Sequence, residues 1–175
     1  MRKTIIAATA LFMGGAGVMT FAVPAFAASG PTTATVLING GALAISVPTS
    51  ANLGTTTVST SAQTVTGSLG PVVVSDLRGG TLGWVATAIS TNFTGSNGGT
   101  ISVGSMTYTP GTAVVVGVAT VTPSSLTGMG ATSAVQTATA TNGANTATWN
   151  PSIGVPIPAN ALAGTYSATI THSVS

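Results

Sequence analysis

Hydrophobic and polar residues alternate along much of this chain with a period of two. The C-terminal segment is the clearest case, because Tyr166, Ala168, Ile170, His172 and Val174 fall on one face and Thr or Ser residues fill most positions between them. Successive side chains of a β-strand point to opposite sides of the sheet. The pattern therefore predicts a half-buried final strand with its hydroxyl groups directed outward.

The same alternation predicts further strands. Thr, Val and Ile are abundant and suit a pleated surface, while Gly and Pro recur at intervals typical of turns. No segment after the N-terminal apolar run has the 3.6-residue period of an amphipathic helix. The predicted strands are 33–38, 43–48, 63–69, 72–77, 81–91, 100–103, 113–122, 132–141, 146–157 and 164–174. The sequence thus predicts an all-β fold, an antiparallel β-sandwich.

Two Asn-Gly pairs and two prolines refine this prediction. Asn39-Gly40, followed by a second glycine, and Asn142-Gly143 are typical of hairpin turns, because both residue types tolerate positive φ. Pro156 and Pro158 cannot donate a backbone hydrogen bond. We therefore expect their segment at a sheet edge or at a strand end.

The N-terminal segment 1–27 has the organisation of a secretory signal peptide. Arg2 and Lys3 precede an apolar run over 5–23, and Ala25-Phe26-Ala27 forms an A-x-A cleavage site. The alternative is an uncleaved membrane anchor, which the glycines in the run and the cleavage motif disfavour. We expect a single exported domain over 28–175, located extracellularly at the cell wall or cell surface, with no stable membrane anchor after cleavage.

Charge is nearly absent from the predicted mature chain. The whole sequence has three Lys or Arg residues, one Asp and no Cys, and beyond residue 27 only Asp76, Arg78 and His172 can carry charge. Nucleic-acid binding requires clustered basic residues, so it is excluded as a function. So few titratable groups favour a non-enzymatic protein without a cofactor, and one His without nearby Cys or carboxylates predicts no metal site. A chain with so little charge and so much Thr could also be disordered instead of folded, but the regular apolar alternation disfavours this alternative.

Asp76 and Arg78 lie two positions apart and therefore share one face of a strand. We predict a structural ion pair that fixes the bend before Gly79-Gly80. Contact with a ligand is the alternative for this pair.

The aromatic residues Trp84, Trp149 and Tyr108 are candidate contacts to a wall polymer or another ligand. An exposed indole can stack on a sugar, whereas packing in the core is the default reading of both tryptophans. Tyr108 lies near a predicted loop and would enlarge an aromatic surface. His172, on the apolar face of the last strand, is expected to be at least half-buried with a hydrogen-bond partner. It is also a candidate pH switch.

Two segments carry a resemblance to a known family. Residues 74–86 read V-S-D-L-R-G-G-T-L-G-W-V-A, and residues 163–174 read A-G-T-Y-S-A-T-I-T-H-S-V. Together they resemble the WxL domain of Gram-positive surface proteins, in a divergent form of the kind seen in actinobacteria. The chain departs from the family at Ala86, which replaces the first motif's Leu, and at His172 and Val174, which replace the second Trp-x-Leu. The resemblance implies a β-sandwich that attaches non-covalently to peptidoglycan or another wall glycan.

These observations predict a secreted, non-enzymatic cell-surface protein that associates non-covalently with the cell wall. Because the mature chain is neutral, such binding should resist salt. The alternative is a self-associating structural subunit of a surface fibre or coat, since few charges protect the edge strands and net charge near zero favours association. The expected partners are wall glycan, other surface proteins or the chain itself.

Overall fold

The structure is a computed structural model that describes residues 28–175, and the predicted signal peptide lies outside the described residues. Residues 28–36 belong to a unit separate from residues 37–175, and they form no strand. The strands are β1 (Leu43–Ser46), β2 (Gln63–Ser68), β3 (Val72–Asp76), β4 (Trp84–Ser90), β5 (Phe93–Gly95), β6 (Thr100–Ile101), β7 (Thr107–Thr109), β8 (Val114–Pro123), β9 (Leu126–Thr127), β10 (Ser133–Trp149), β11 (Ser152–Ile157), β12 (Tyr166–Ser167) and β13 (Ile170–Val174). A 3-10 turn over Val103–Ser105 precedes β7.

The strands form three antiparallel sheets. The largest has the order β1-β3-β10-β4-β13, with β8 also paired to β10, and it is nearly closed because β13 lies beside β1. The second sheet has the order β2-β11-β7-β9, and the third has the order β12-β5-β6. The predicted all-β fold with antiparallel strands is therefore confirmed.

Strand β10 is the long central element of the largest sheet. Its first part pairs with β4 over Ser133–Ala138, and its last part pairs with β3 over Asn145–Trp149. Its other edge follows β8, with register shifts on either side of Asn142. The predicted hairpin turn at Asn142-Gly143 is wrong, because this segment is a bulged bend in one continuous strand. Gly143 does adopt a positive φ of 72°, which here serves the bend where β10 changes partner.

The predicted strand over 33–38 and the hairpin at Asn39-Gly40 are also wrong. Residues 28–42 form no strand, and β1 pairs with β3 instead of with a preceding strand. The two glycines serve close backbone contact: the Gly41 N–H donates to the Leu77 carbonyl at 2.6 Å. A Cβ atom on Gly40 would overlap the carbonyl group of Arg78.

The last segment keeps its predicted alternation. Inward positions from Tyr166 to Val174 are partly buried and the residues between them are exposed, although the ladder is interrupted between β12 and β13. Pro156 lies inside β11, where β2 still pairs on one side but β7 has already ended on the other. A proline, which has no N–H group, fits that position because no strand on the β7 side requires a hydrogen bond from it.

The core lies between the sheets and contains both tryptophans. Its buried hydrophobic residues are Val72, Val74, Trp84, Ala86, Ala88, Phe93, Ile101, Met106, Tyr108, Met129, Val135, Ala138, Ala147, Trp149, Ile153 and Val155. Among the described residues, no helix is long and apolar enough to cross a membrane.

Candidate functional site

Asp76 and Arg78 form a bidentate ion pair at the end of β3. Arg78 Nε donates to Asp76 Oδ1 at 2.8 Å, and Arg78 Nη2 donates to Oδ2 at 2.9 Å. The same Nη2 also donates to the carbonyl oxygens of Leu82 and Gly83, at 3.1 and 2.9 Å. The pair therefore closes the loop between β3 and β4. The sequence predicted an ion pair on one strand face, but Arg78 lies beyond the end of β3, within this loop.

The arrangement fixes the ionisation of Asp76. Hydrogen bonding from Arg78 holds the pKa of this carboxyl below its usual value, and burial acts in the opposite direction but more weakly. Asn145 lies opposite Asp76 in the β3–β10 ladder and lowers the pKa of Asp76 further, by a smaller amount. The Nδ2 atom of Asn145 nevertheless forms no hydrogen bond of normal geometry. With both oxygens of Asp76 occupied by Arg78, the pair is unsuited to acid–base chemistry.

Trp84 is a core residue, not a surface contact. Its side chain begins β4 and is 2% exposed, and its indole Nε1 donates to Asn145 Oδ1 at 3.2 Å. This bond ties β4 to β10 next to the Asp76–Arg78 pair. Sequence reasoning missed Asn145, because an isolated Asn within a Thr- and Ala-rich segment carries no distinctive signal.

Trp149, Tyr108 and His172 form a hydrogen-bonded chain through the core. Trp149 Nε1 donates to the Tyr108 hydroxyl oxygen at 3.2 Å, and that hydroxyl lies 3.0 Å from His172 Nε2. The Tyr108 oxygen accepts from the indole, and the tautomer of the imidazole decides whether Tyr108 or His172 donates in the second bond.

Burial shifts both titratable groups of this chain toward the neutral form. It raises the pKa of Tyr108 to about 12, against a smaller lowering by the Trp149 hydrogen bond. Burial lowers the pKa of His172.

Trp149 and Tyr108 are 1% and 0% exposed, so neither presents a ring face to a polymer. The interpretation of Trp84, Trp149 and Tyr108 as glycan contacts is therefore corrected: each polar group has an internal partner and each ring packs in the core.

A groove with a volume of about 1030 Å³ lies beside His172. The loop 47–58 and the segment 161–170 supply much of its lining, with hydroxyl groups from residues such as Thr49, Ser50 and Thr165. Apolar side chains, including Val72 and Phe93, line its inner part. No Asp, Glu, Lys or Arg lines the groove. Sequence reasoning missed this groove, because the loop 47–58 has neither a motif nor a charge.

Strand β8 presents an exposed apolar row at an unpaired sheet edge. Val114, Val116 and Val118 are 71%, 68% and 56% exposed. One edge of β8 pairs with β10, and within residues 28–175 no strand pairs with the other edge. The sequence predicted a strand here, but strand order is a long-range property and could not be deduced from it.

The second-motif positions lie on β13. His172 closes the hydrogen-bonded chain, and Val174 packs at the border of the core. Across the described part of the chain, no group of three or more His, Cys, Asp or Glu residues could hold a metal ion.

Comparison of this chain with protein-family models, curated proteins and solved structures finds no match. The resemblance to the WxL domain stays a prediction that depends on the two segments at 74–86 and 163–174.

Proposed function

We propose that residues 28–175 act as a secreted, non-enzymatic structural subunit of a bacterial surface layer, which self-associates through the free edge of β8. The observation that carries this proposal is the row Val114, Val116 and Val118 on an unpaired edge strand of ten residues. Free edges of this length are normally protected by charged side chains, prolines, β-bulges or covering elements. β8 has one irregularity, at Gly117 and Val118, where its register with β10 shifts. β8 has no charged residue, and its one proline, Pro123, is its last residue.

The electrostatics of the domain also support association. Asp76 and Arg78 neutralise each other at short range, and His172 is held neutral by burial. Copies of the mature chain would therefore approach each other without net repulsion. Association based on backbone hydrogen bonds and valine packing should persist at high salt.

The test compares the mature chain with a variant whose edge carries a charge. Residues 28–175 should form species that grow with concentration in sedimentation velocity and appear as ordered assemblies in negative-stain electron microscopy. Val116→Lys should remain monomeric. The matched control is Leu82→Lys, which places the same charge on a side chain that is 74% exposed but lies outside β8. A wild-type chain that is monomeric at every concentration would contradict the proposal.

Non-covalent binding to wall glycan is the second candidate function, and the uncharged groove supports it. Hydroxyl groups around an apolar floor are suited to a neutral polysaccharide, which is bound through hydrogen bonds and contact with sugar faces. The test is co-sedimentation of residues 28–175 with washed Gram-positive cell walls at low and high salt. Salt-resistant pelleting that Thr165→Trp blocks, and that Leu82→Trp leaves intact, is the expected result. Pelleting unaffected by Thr165→Trp would argue against the groove as the binding site.

A further inference from the structure

We infer that the free edge of β8 is completed by the N-terminal arm, residues 33–38, of a second copy of this chain. This inference rests on the proposed self-association and names the segment that carries it out. Each copy would then offer one arm and accept one arm.

The arm has the sequence of a strand but no strand partner. It reads T-A-T-V-L-I, which is rich in β-branched residues, yet residues 28–42 form no strand. Val36, Leu37 and Ile38 are 87%, 82% and 87% exposed. Three consecutive large apolar side chains in water are unfavourable, and an added strand would cover one face of them.

The arm and the edge match in pattern and in length. In an extended arm Ala34, Val36 and Ile38 share one face at the two-residue spacing of Val114 and Val116 on β8. Aligned side by side, the two rows would form cross-strand pairs of β-branched residues, which are among the favourable pairs in a sheet. Six extended residues span roughly 20 Å, which the longer β8 can accommodate.

Chemistry also favours a second copy as the occupant. Neither the arm nor β8 carries a charge. The edge therefore does not favour a partner of opposite charge, and no repulsion between like charges keeps two copies apart. Backbone ladder bonds supply the affinity in this mode of strand addition. Arm and edge are different surfaces of one chain, so the contact is heterologous and generates a closed ring or an open filament, according to the rotation between copies.

The chain has no cysteine in the described region or elsewhere, so introduced thiols report one contact each. Mature chain with Val36→Cys is mixed with mature chain carrying Val116→Cys, and the mixture is oxidised. We expect a disulfide-linked dimer of one copy of each. When Leu82→Cys replaces Val116→Cys in the mixture, the yield of disulfide-linked dimer should be at least about tenfold lower. Equal yields from the two partners would overturn the inference, as would an intramolecular disulfide in a diluted chain that carries both cysteines.

A second pair of variants separates this inference from the proposed function. Val36→Lys should abolish assembly as Val116→Lys does, while Ser29→Lys, with the same added charge outside the arm, should assemble normally. If Val116→Lys abolishes assembly and Val36→Lys does not, the edge associates but the arm is not its partner, and the inference fails alone. If neither variant affects assembly, both the inference and the proposed edge contact fail.

Discussion

The Tyr108 hydroxyl oxygen lies 3.0 Å from His172 Nε2, and this hydrogen bond links β7 in one sheet to β13 in another. The hydroxyl oxygen also accepts from Trp149 Nε1. Two buried side chains and the half-buried His172 are thereby hydrogen-bonded to one another. His172 is thus part of the internal hydrogen bonding of the fold.

Tyr108→Phe should lower the free energy of unfolding by about 1–3 kcal/mol, because it leaves Trp149 Nε1 buried without a partner and removes the hydrogen bond of the half-buried His172. Urea denaturation at neutral pH measures the effect. The control is Tyr166→Phe, which removes a hydroxyl group that donates to the Leu162 carbonyl at an exposed site. Equal stabilities of Tyr108→Phe and the wild type would contradict the assigned hydrogen-bonded chain.

Acidification should destabilise the domain first through His172. Burial lowers the pKa of His172 from 6.5, so the unfolded chain binds this proton more readily than the folded chain. The free energy of unfolding should therefore fall as the pH drops below 6.5 and level off below the pKa of the folded state. His172→Gln keeps a hydrogen-bonding group beside Tyr108 but does not titrate. Urea unfolding of the variant should show no loss across that range, and a loss equal to that of the wild type would exclude His172 as its source.

Asp76 should cause a second loss of unfolding free energy, at more acidic pH than the loss caused by His172. Its pKa is lowered from 3.8 by the Arg78 hydrogen bonds, so its contribution is fully present above pH 3.8 and is lost as the pH falls through the pKa of the folded state. Asp76→Asn should be less stable than the wild type at neutral pH, and the difference should narrow in acid. Thermal unfolding followed by circular dichroism measures both curves. A constant difference at all pH values would show that the charge of Asp76 is not the cause.

Trp84→Phe should cost about 1–3 kcal/mol of unfolding free energy, because Asn145 Oδ1 then loses its donor in a buried site. Leu82→Ala, a nearby change at an exposed side chain, should cost far less unfolding free energy.

The burial of both tryptophans also predicts that acrylamide quenches the fluorescence of the native protein weakly and that of the unfolded protein strongly. Strong quenching of the native protein would contradict the core assignment of Trp84 and Trp149.

The elements predicted from the sequence fail or succeed for identifiable reasons. Alternation over Tyr166–Val174 and the spacing of Asp76 and Arg78 are local properties, so the half-buried strand and the ion pair could be deduced from them. Asn142-Gly143 has the local preference for a turn, but the partner change of β10 makes it a bend, which depends on residues far away in sequence. Exposure of Trp84 or Trp149 could not be predicted, because it depends on an internal partner for each indole N–H.

Hydrogen–deuterium exchange of the mature chain, compared between dilute and assembled samples, tests the self-association through β8 most directly. The account predicts that backbone amides of residues 114–122 and of the arm 33–38 become protected together on assembly, while the loop 47–58 changes little. Assembly in which the β8 amides exchange as fast as in the dilute protein would contradict it.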